Sequence, residues 1–249
     1  ERHMLEILDI KYNSDDINSK RKEVARLLMQ NSPHIKSGTA SEMSTNDLKL
    51  LFQLYDQIFL KSWFKEYFKG KIKFAFSNRM TKSAGLTVCP KNIDRIKPED
   101  LVIEIRMGMD FFLHYGLIEG SKTVCGIKTS NSLEALQLVF EHELCHLLEF
   151  IHFKRSSCKG KRFKTIAENL FGHTESYHKL PTNKEIASKK LGFRIGDTVS
   201  FTFKGQKLTG ILYNINKRAT VMVRNNQGSL VDNKGNRYSK YYVPLTLLE

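Results

Sequence analysis

The chain has 249 residues, 41% of them hydrophobic, and a formal net charge of +14 from 40 Lys+Arg against 26 Asp+Glu. That length suits one large domain or two smaller ones, and the apolar content excludes wholesale disorder. The positive excess favours a polyanionic partner, nucleic acid first, with a merely basic and well-solvated surface as the plain alternative.

In chain order, Glu1-Arg2-His3-Met4 reads as a remnant of cloning, so His3 is not counted among candidate ligands. SDDINSKRKEVARLLMQ has the spacing of a helix capped near Ser14 to Asp16, with Val24, Leu27 and Leu28 apolar. NSPHIKSGTASEMS reads as a polar loop or linker. A second helix is expected from Ser44 or Thr45, running through NDLKLLFQLYDQIFLKSWF. KIKFAFSN, AGLTVCP and DLVIEIRMG then read as strands.

The clearest element follows. Asn131 and Glu134 suit a capping box, and Leu133, Leu136, Phe140, Leu144, Leu147 and Ile151 recur every three or four residues. That stripe is core. Within the helix lies His142-Glu143-Leu144-Cys145-His146, the pattern H-E-x-x-H, with both histidines off the stripe and about one turn apart. RFKTIAENLFGH suggests a further helix ending near Gly172, and PTNKEIASKK reads as a basic linker. RIGDTVSFTFKG, KLTGILYNINKR, ATVMVRN and YYVPLTLL are short, regular strands that suggest a small closed β-barrel.

The four cysteines, Cys89, Cys125, Cys145 and Cys158, form no CxxC pair, and a disulfide at Cys145 would be awkward inside the helical motif. A reduced, intracellular compartment fits, cytoplasmic in a bacterium or nuclear in a eukaryote. No apolar run approaches the ~20 residues of a membrane span, and the N-terminus carries no signal-peptide pattern.

On a helix, H-E-x-x-H offers zinc two imidazoles and sets a carboxylate beside them. Zinc lowers the pKa of bound water to ~7, and Glu143 is placed to take its proton and pass it to a leaving amine. The chemistry is metal-assisted peptide hydrolysis, with His142 and His146 as ligands and Glu143 as general base.

From LFQLYDQIF through SNRMTKSAGLT, IEIRMGMDFF and FEHELCHLLEF to GKRFKTIAENLFGH, the chain resembles the SprT-like (Spartan-type) metalloprotease domain over roughly residues 45 to 178. The resemblance implies a minimal zinc protease, of α+β class, that works on DNA-bound proteins, including DNA–protein crosslinks. It also implies a third ligand: a histidine just before the glycine of an H-G-x-x-F stretch. Here that stretch reads Cys158-Lys159-Gly160-Lys161-Arg162-Phe163, with lysine in the histidine's place. A protonated lysine has no lone pair for a metal. The expectation is therefore a weakened zinc site and little cleavage, which Lys159→His would restore.

Six residues compete for the vacant role. Cys158 adjoins it, and a thiolate is a good zinc ligand, against a packed or free thiol. Glu149 shares the histidine face and suits a supporting carboxylate, or plain exposure. His152 points about 240° round the helix from His146 and reads as a surface histidine. Glu168 lies on the next helix without matching surroundings, and His173 and His178 read as capping or surface groups.

Arg79, Lys82, Lys159, Lys161, Arg162 and Lys164 are expected to flank the active-site groove. In the barrel, Lys204, Lys207, Lys217, Arg218, Lys234, Arg237 and Lys240 are interleaved with Tyr238, Tyr241 and Tyr242. That mixture suits single-stranded nucleic acid, or equally ordinary solvated turns with packed tyrosines. The expected organisation is an N-terminal helix and linker over 1–40, the protease domain over 41–180, and an SH3-like or KOW-like barrel over 190–249. The expected partners are DNA and a protein substrate, with no membrane. Two other readings stand beside it. One is a non-catalytic DNA-binding module on a protease fold, favoured by Lys159. The other is a metal-dependent nucleotide hydrolase.

Overall fold

The computed structural model describes residues 7–40 and 42–249, so the expectation for Glu1–Met4 lies outside the described residues. The chain divides into two compact units, Glu1–Leu180 and Pro181–Glu249.

In the first unit, α1 spans Ser14–Asn31, and its N-cap Asn13 accepts a hydrogen bond from the Asp16 amide. α2 spans Thr45–Phe59 and opens on a full capping box between Ser44 and Asp47. The long second helix expected from sequence is broken. Lys61 and Ser62 take left-handed backbone angles, φ 53° and 61°, and a short α3 restarts over Trp63–Tyr67. The buried Asp56 carboxylate accepts the Phe64 and Lys65 amides at 2.8 and 3.0 Å, so it caps the new helix.

Three strands follow: β1 Lys71–Phe76, β2 Gly85–Val88 and β3 Val102–Met107. β3 is central, parallel to β1 and antiparallel to β2, which leaves β2 as an edge. Ile103, Ile105 and Met107 alternate inward and are fully buried. A short α4, Met109–Leu113, leads to the hairpin of β4, Lys122–Val124, and β5, Ile127–Thr129.

α5, Ser132–Phe153, crosses the middle of this unit, and α6, Lys161–Phe171, packs on it. Asn131 caps α5 through the Glu134 amide, while Glu134 returns its own bond to Ser130 rather than completing the expected box. All six residues of the stripe from Leu133 to Ile151 are buried. Burying each such side chain contributes about 1.5–3 kcal/mol, so this stripe is a main source of stability in the unit. α6 stops at Gly172, whose φ of +68° is the left-handed conformation that ends helices.

The second unit corrects two expectations. PTNKEIASKK is not a linker. It forms α7, Asn183–Lys190, with a Thr182–Glu185 capping box. Its Ala187 is fully buried in the apolar cluster of this unit. Nor is there a closed barrel. β6 Thr198–Phe203, β7 Gln206–Ile215, β8 Ala219–Arg224, β9 Leu230–Val231 and β10 Arg237–Val243 form an antiparallel sheet in the order β6-β7-β8-β10-β9. No ladder joins β6 to β9 among the described residues. Instead Glu249 exchanges two backbone hydrogen bonds with Ser200 of β6. Among the described residues no helix is long and apolar enough to cross a membrane.

Candidate metal centre

His142 and His146 leave the same side of α5, and their Nε2 atoms face each other at 3.2 Å. The Phe163 ring on α6 backs both imidazoles, at 4.8 and 4.5 Å between centroids. The proton positions follow from the partners. Ser156 donates its only hydroxyl hydrogen to Glu149 at 2.6 Å, so it accepts from His146 Nδ1 at 2.6 Å. His146 Nε2 is left with a free lone pair. His142 Nδ1 lies 3.9 Å from Cys125 Sγ, which also approaches the Leu138 carbonyl at 4.0 Å. Burial pushes the Cys125 thiol far up, so it stays protonated and turns its hydrogen to that carbonyl. Burial, and then the neighbouring His146, lower His142 to about 3, and burial lowers His146 to about 4. Both rings are neutral near pH 7 and can donate lone pairs.

Cys158 completes the set. The candidate ligand atoms of His142, His146 and Cys158 all lie within 4.8 Å of one another. The two Nε2 atoms, 3.2 Å apart, match the separation of about 3.3 Å that tetrahedral zinc imposes at Zn–N near 2.0 Å. The residues therefore fit a divalent metal with two nitrogens, one thiolate and an open fourth position.

Lys159, expected to mark an empty ligand place, is exposed, and its neighbour Cys158 stands with the histidines instead. Glu149 is 2% exposed and supports the centre indirectly. It accepts from Ser156, from the Ser157 amide at 3.0 Å and from Arg162 Nε at 2.8 Å. Arg162, expected to flank a groove, is half-buried and pairs with Glu149, and its guanidinium also stacks 3.7 Å from the Phe153 ring centre. His152 is not a surface group: its ring packs 5.2 Å from Trp63. Glu168 is exposed. His173 is buried and bonded to Glu141 at 2.8 Å, and it is not one of the grouped donors. His178 lines a cavity of about 70 Å³ with His142 and Glu143, its ring against Phe111.

Glu143 sits beside the donors, 4% exposed. Desolvation pushes its carboxyl up to about 7, against the opposing hydrogen bond from Thr87 Oγ1 to Oε2 at 2.7 Å. β2 passes close overhead. A Cβ at Gly85 would come within 2.6 Å of Glu143 Oε1, so only glycine lets this strand approach the carboxylate. Thr87, Cys125 and Ser156 are the site residues that sequence spacing alone does not reveal, because each arrives from a different loop or strand. The one local signal is the Cys125-Gly126 pair. Both residues have positive φ, the pattern of a tight hairpin turn, and that turn delivers the thiol to His142.

No curated protein and no solved structure matches the chain. A family model does, over residues 49–185, which is more than half the chain and contains the whole donor cluster and Glu143. The chain belongs to the SprT-like family.

Proposed function

We propose that the chain is a zinc-dependent peptidase acting on proteins associated with DNA, including proteins crosslinked to it. The observation that carries this reading is the His142–His146–Cys158 donor cluster beside a buried, proton-accepting Glu143. Zinc held there would supply an activated water near neutral pH and polarise a peptide carbonyl. Glu143 takes a proton at its free Oε1 and returns it to the departing amine nitrogen, while Thr87 holds Oε2. A carboxyl poised near 7 is suited to both transfers. The edge strand β2 offers unpaired backbone groups beside Glu143, where an extended peptide can align. The +14 charge and the SprT-like membership support a substrate carried on DNA. Four free cysteines support a reducing, intracellular setting. The non-catalytic reading loses its main support, because Lys159 does not occupy the site.

The test is cleavage of casein and of a DNA-crosslinked protein by the zinc-loaded chain. Glu143→Gln should retain zinc and lose cleavage by roughly 10²–10⁴-fold. Equal cleavage by the Gln variant would overturn the assignment.

A further inference from the structure

Residues 181–249 carry 12 Lys+Arg against 4 Asp+Glu, so +8 of the chain's +14 falls in little more than a quarter of its length. The family match stops at residue 185, before the first strand of this unit. This unit, α7 and the sheet together, therefore holds most of the excess charge and none of the peptidase machinery.

The pleat sorts its side chains into two faces. Leu208, Leu212, Val221, Val223, Tyr241 and Val243 belong to the apolar cluster. Ile211, Tyr213, Met222, Tyr238, Lys240 and Tyr242 occupy the alternate positions. Cross-strand register sets Ile211, Met222 and Lys240 in one row, and Arg224 beside Tyr238 in another. Tyr213 and Tyr242 are 63% and 62% exposed, and Ile211 is 41% exposed. A groove of about 570 Å³ runs between Tyr213, Met222, Tyr238 and Lys240. One carboxylate, Asp232, lies in its wall. It accepts from the Lys234 and Asn236 amides, the Asn236 side chain and the Tyr238 hydroxyl, which locks the turn and the Tyr238 ring.

Clustered apolar and aromatic exposure of this kind marks a binding face. Charge selects an anionic partner, and the rings select among anions. A duplex hides its base faces within the stack, and an acidic peptide has no use for them. An unpaired strand presents regularly spaced phosphates together with flat bases. We propose that this outward sheet face binds single-stranded nucleic acid, with bases stacked on Tyr213 and Tyr242 and phosphates held by Lys240 and Arg224. The proposal deepens the functional reading by naming the surface that engages nucleic acid, yet it does not need the metal centre.

Binding is measured by fluorescence anisotropy with the full chain and a labelled oligothymidylate of about 20 nucleotides, longer than a small sheet's expected site. Tyr213→Ala/Tyr242→Ala should weaken binding roughly tenfold or more, since each stacked base contributes about 1–3 kcal/mol. Tyr213→Phe/Tyr242→Phe keeps the rings and should bind as the parent does, which separates stacking from misfolding. Lys189→Ala/Lys190→Ala removes two charges from α7, off the face, and should weaken binding less than the Tyr→Ala pair. Glu143→Gln should leave binding unchanged. Loss of cleavage with intact binding would leave this surface standing, and the reverse would leave the peptidase standing. Parent-like binding by the Tyr→Ala pair would overturn the proposal. So would equal affinity for a duplex of the same length, or displacement of the oligonucleotide by polyglutamate at matched charge.

Discussion

At the scale of single residues, the third ligand turns on a shift of one position. Aligned by motif, Lys159 falls where the family pattern has histidine, and the site reads as broken. The loop between α5 and α6 instead brings the Cys158 side chain to the histidines and leaves Lys159 in solvent. A thiolate neutralises part of the metal's charge, which an imidazole does not, so the substitution need not weaken binding. Cys158→Ser should therefore drop zinc well below one equivalent, while Lys159→Ala should leave it near one, read by elemental analysis after dialysis. Loading with Co²⁺ gives a readout independent of activity: a thiolate-to-metal charge-transfer band present in the parent and absent in Cys158→Ser. Full zinc in Cys158→Ser would exclude the thiolate. Ser156 poses a second test. Among the described residues it is the acceptor that orients His146 Nδ1, and it relays that bond to Glu149. Ser156→Ala should lower zinc affinity by roughly 10–100-fold in a chelator competition, with an unchanged circular dichroism spectrum. Unchanged affinity would mean that the ring is held by Phe163 packing alone.

At the scale of elements, the helix that carries the motif has a charged back as well as a face that presents the donor cluster. Glu141 is fully buried and binds Arg21 of α1 through two bonds of 2.8 Å, Tyr55 of α2 at 2.7 Å and His173 at 2.8 Å. Desolvation alone would raise its pKa. Arg21 and His173 outweigh that and hold the carboxyl below its usual range. α1 lies outside the family match, yet it supplies the arginine that pairs with this carboxylate. Arg21→Ala should cost about 3–5 kcal/mol, the typical penalty for stranding a buried charge, read as a lower urea midpoint. Adding Glu141→Gln should recover part of that loss. A cost below about 1 kcal/mol would show that α1 is dispensable to the unit. None of this is legible in FEHEL, where Glu141 looks as exposed as any glutamate. The apolar stripe of α5 is legible because its period is enforced over five turns. α7 is not, since Ile186 and Ala187 are its only apolar burials in eight residues, too few to set a period. The break after Phe59 is hidden too, because it depends on Asp56 capping a helix several residues ahead.

At the scale of the whole molecule, each unit has its own apolar cluster, and the two clusters share no residue. The smaller unit is near the size at which a single core is only marginally stabilising, so each buried side chain counts. That makes its true beginning testable. α7 adds Ala187, fully buried in the cluster, and its backbone carbonyl accepts from the Phe193 amide at 3.0 Å. It also brings the Thr182–Glu185 capping box, whose loss alone typically costs about 1 kcal/mol. Residues 181–249 expressed alone should therefore give a dispersed amide NMR spectrum and a cooperative urea transition. A version beginning at residue 191, with all five strands but no α7, should unfold at a clearly lower urea concentration or show a collapsed spectrum. If the two behave alike, α7 is a tether and the sheet with its Glu249–Ser200 backbone pairing is self-sufficient. If neither folds, the sheet depends on the larger unit.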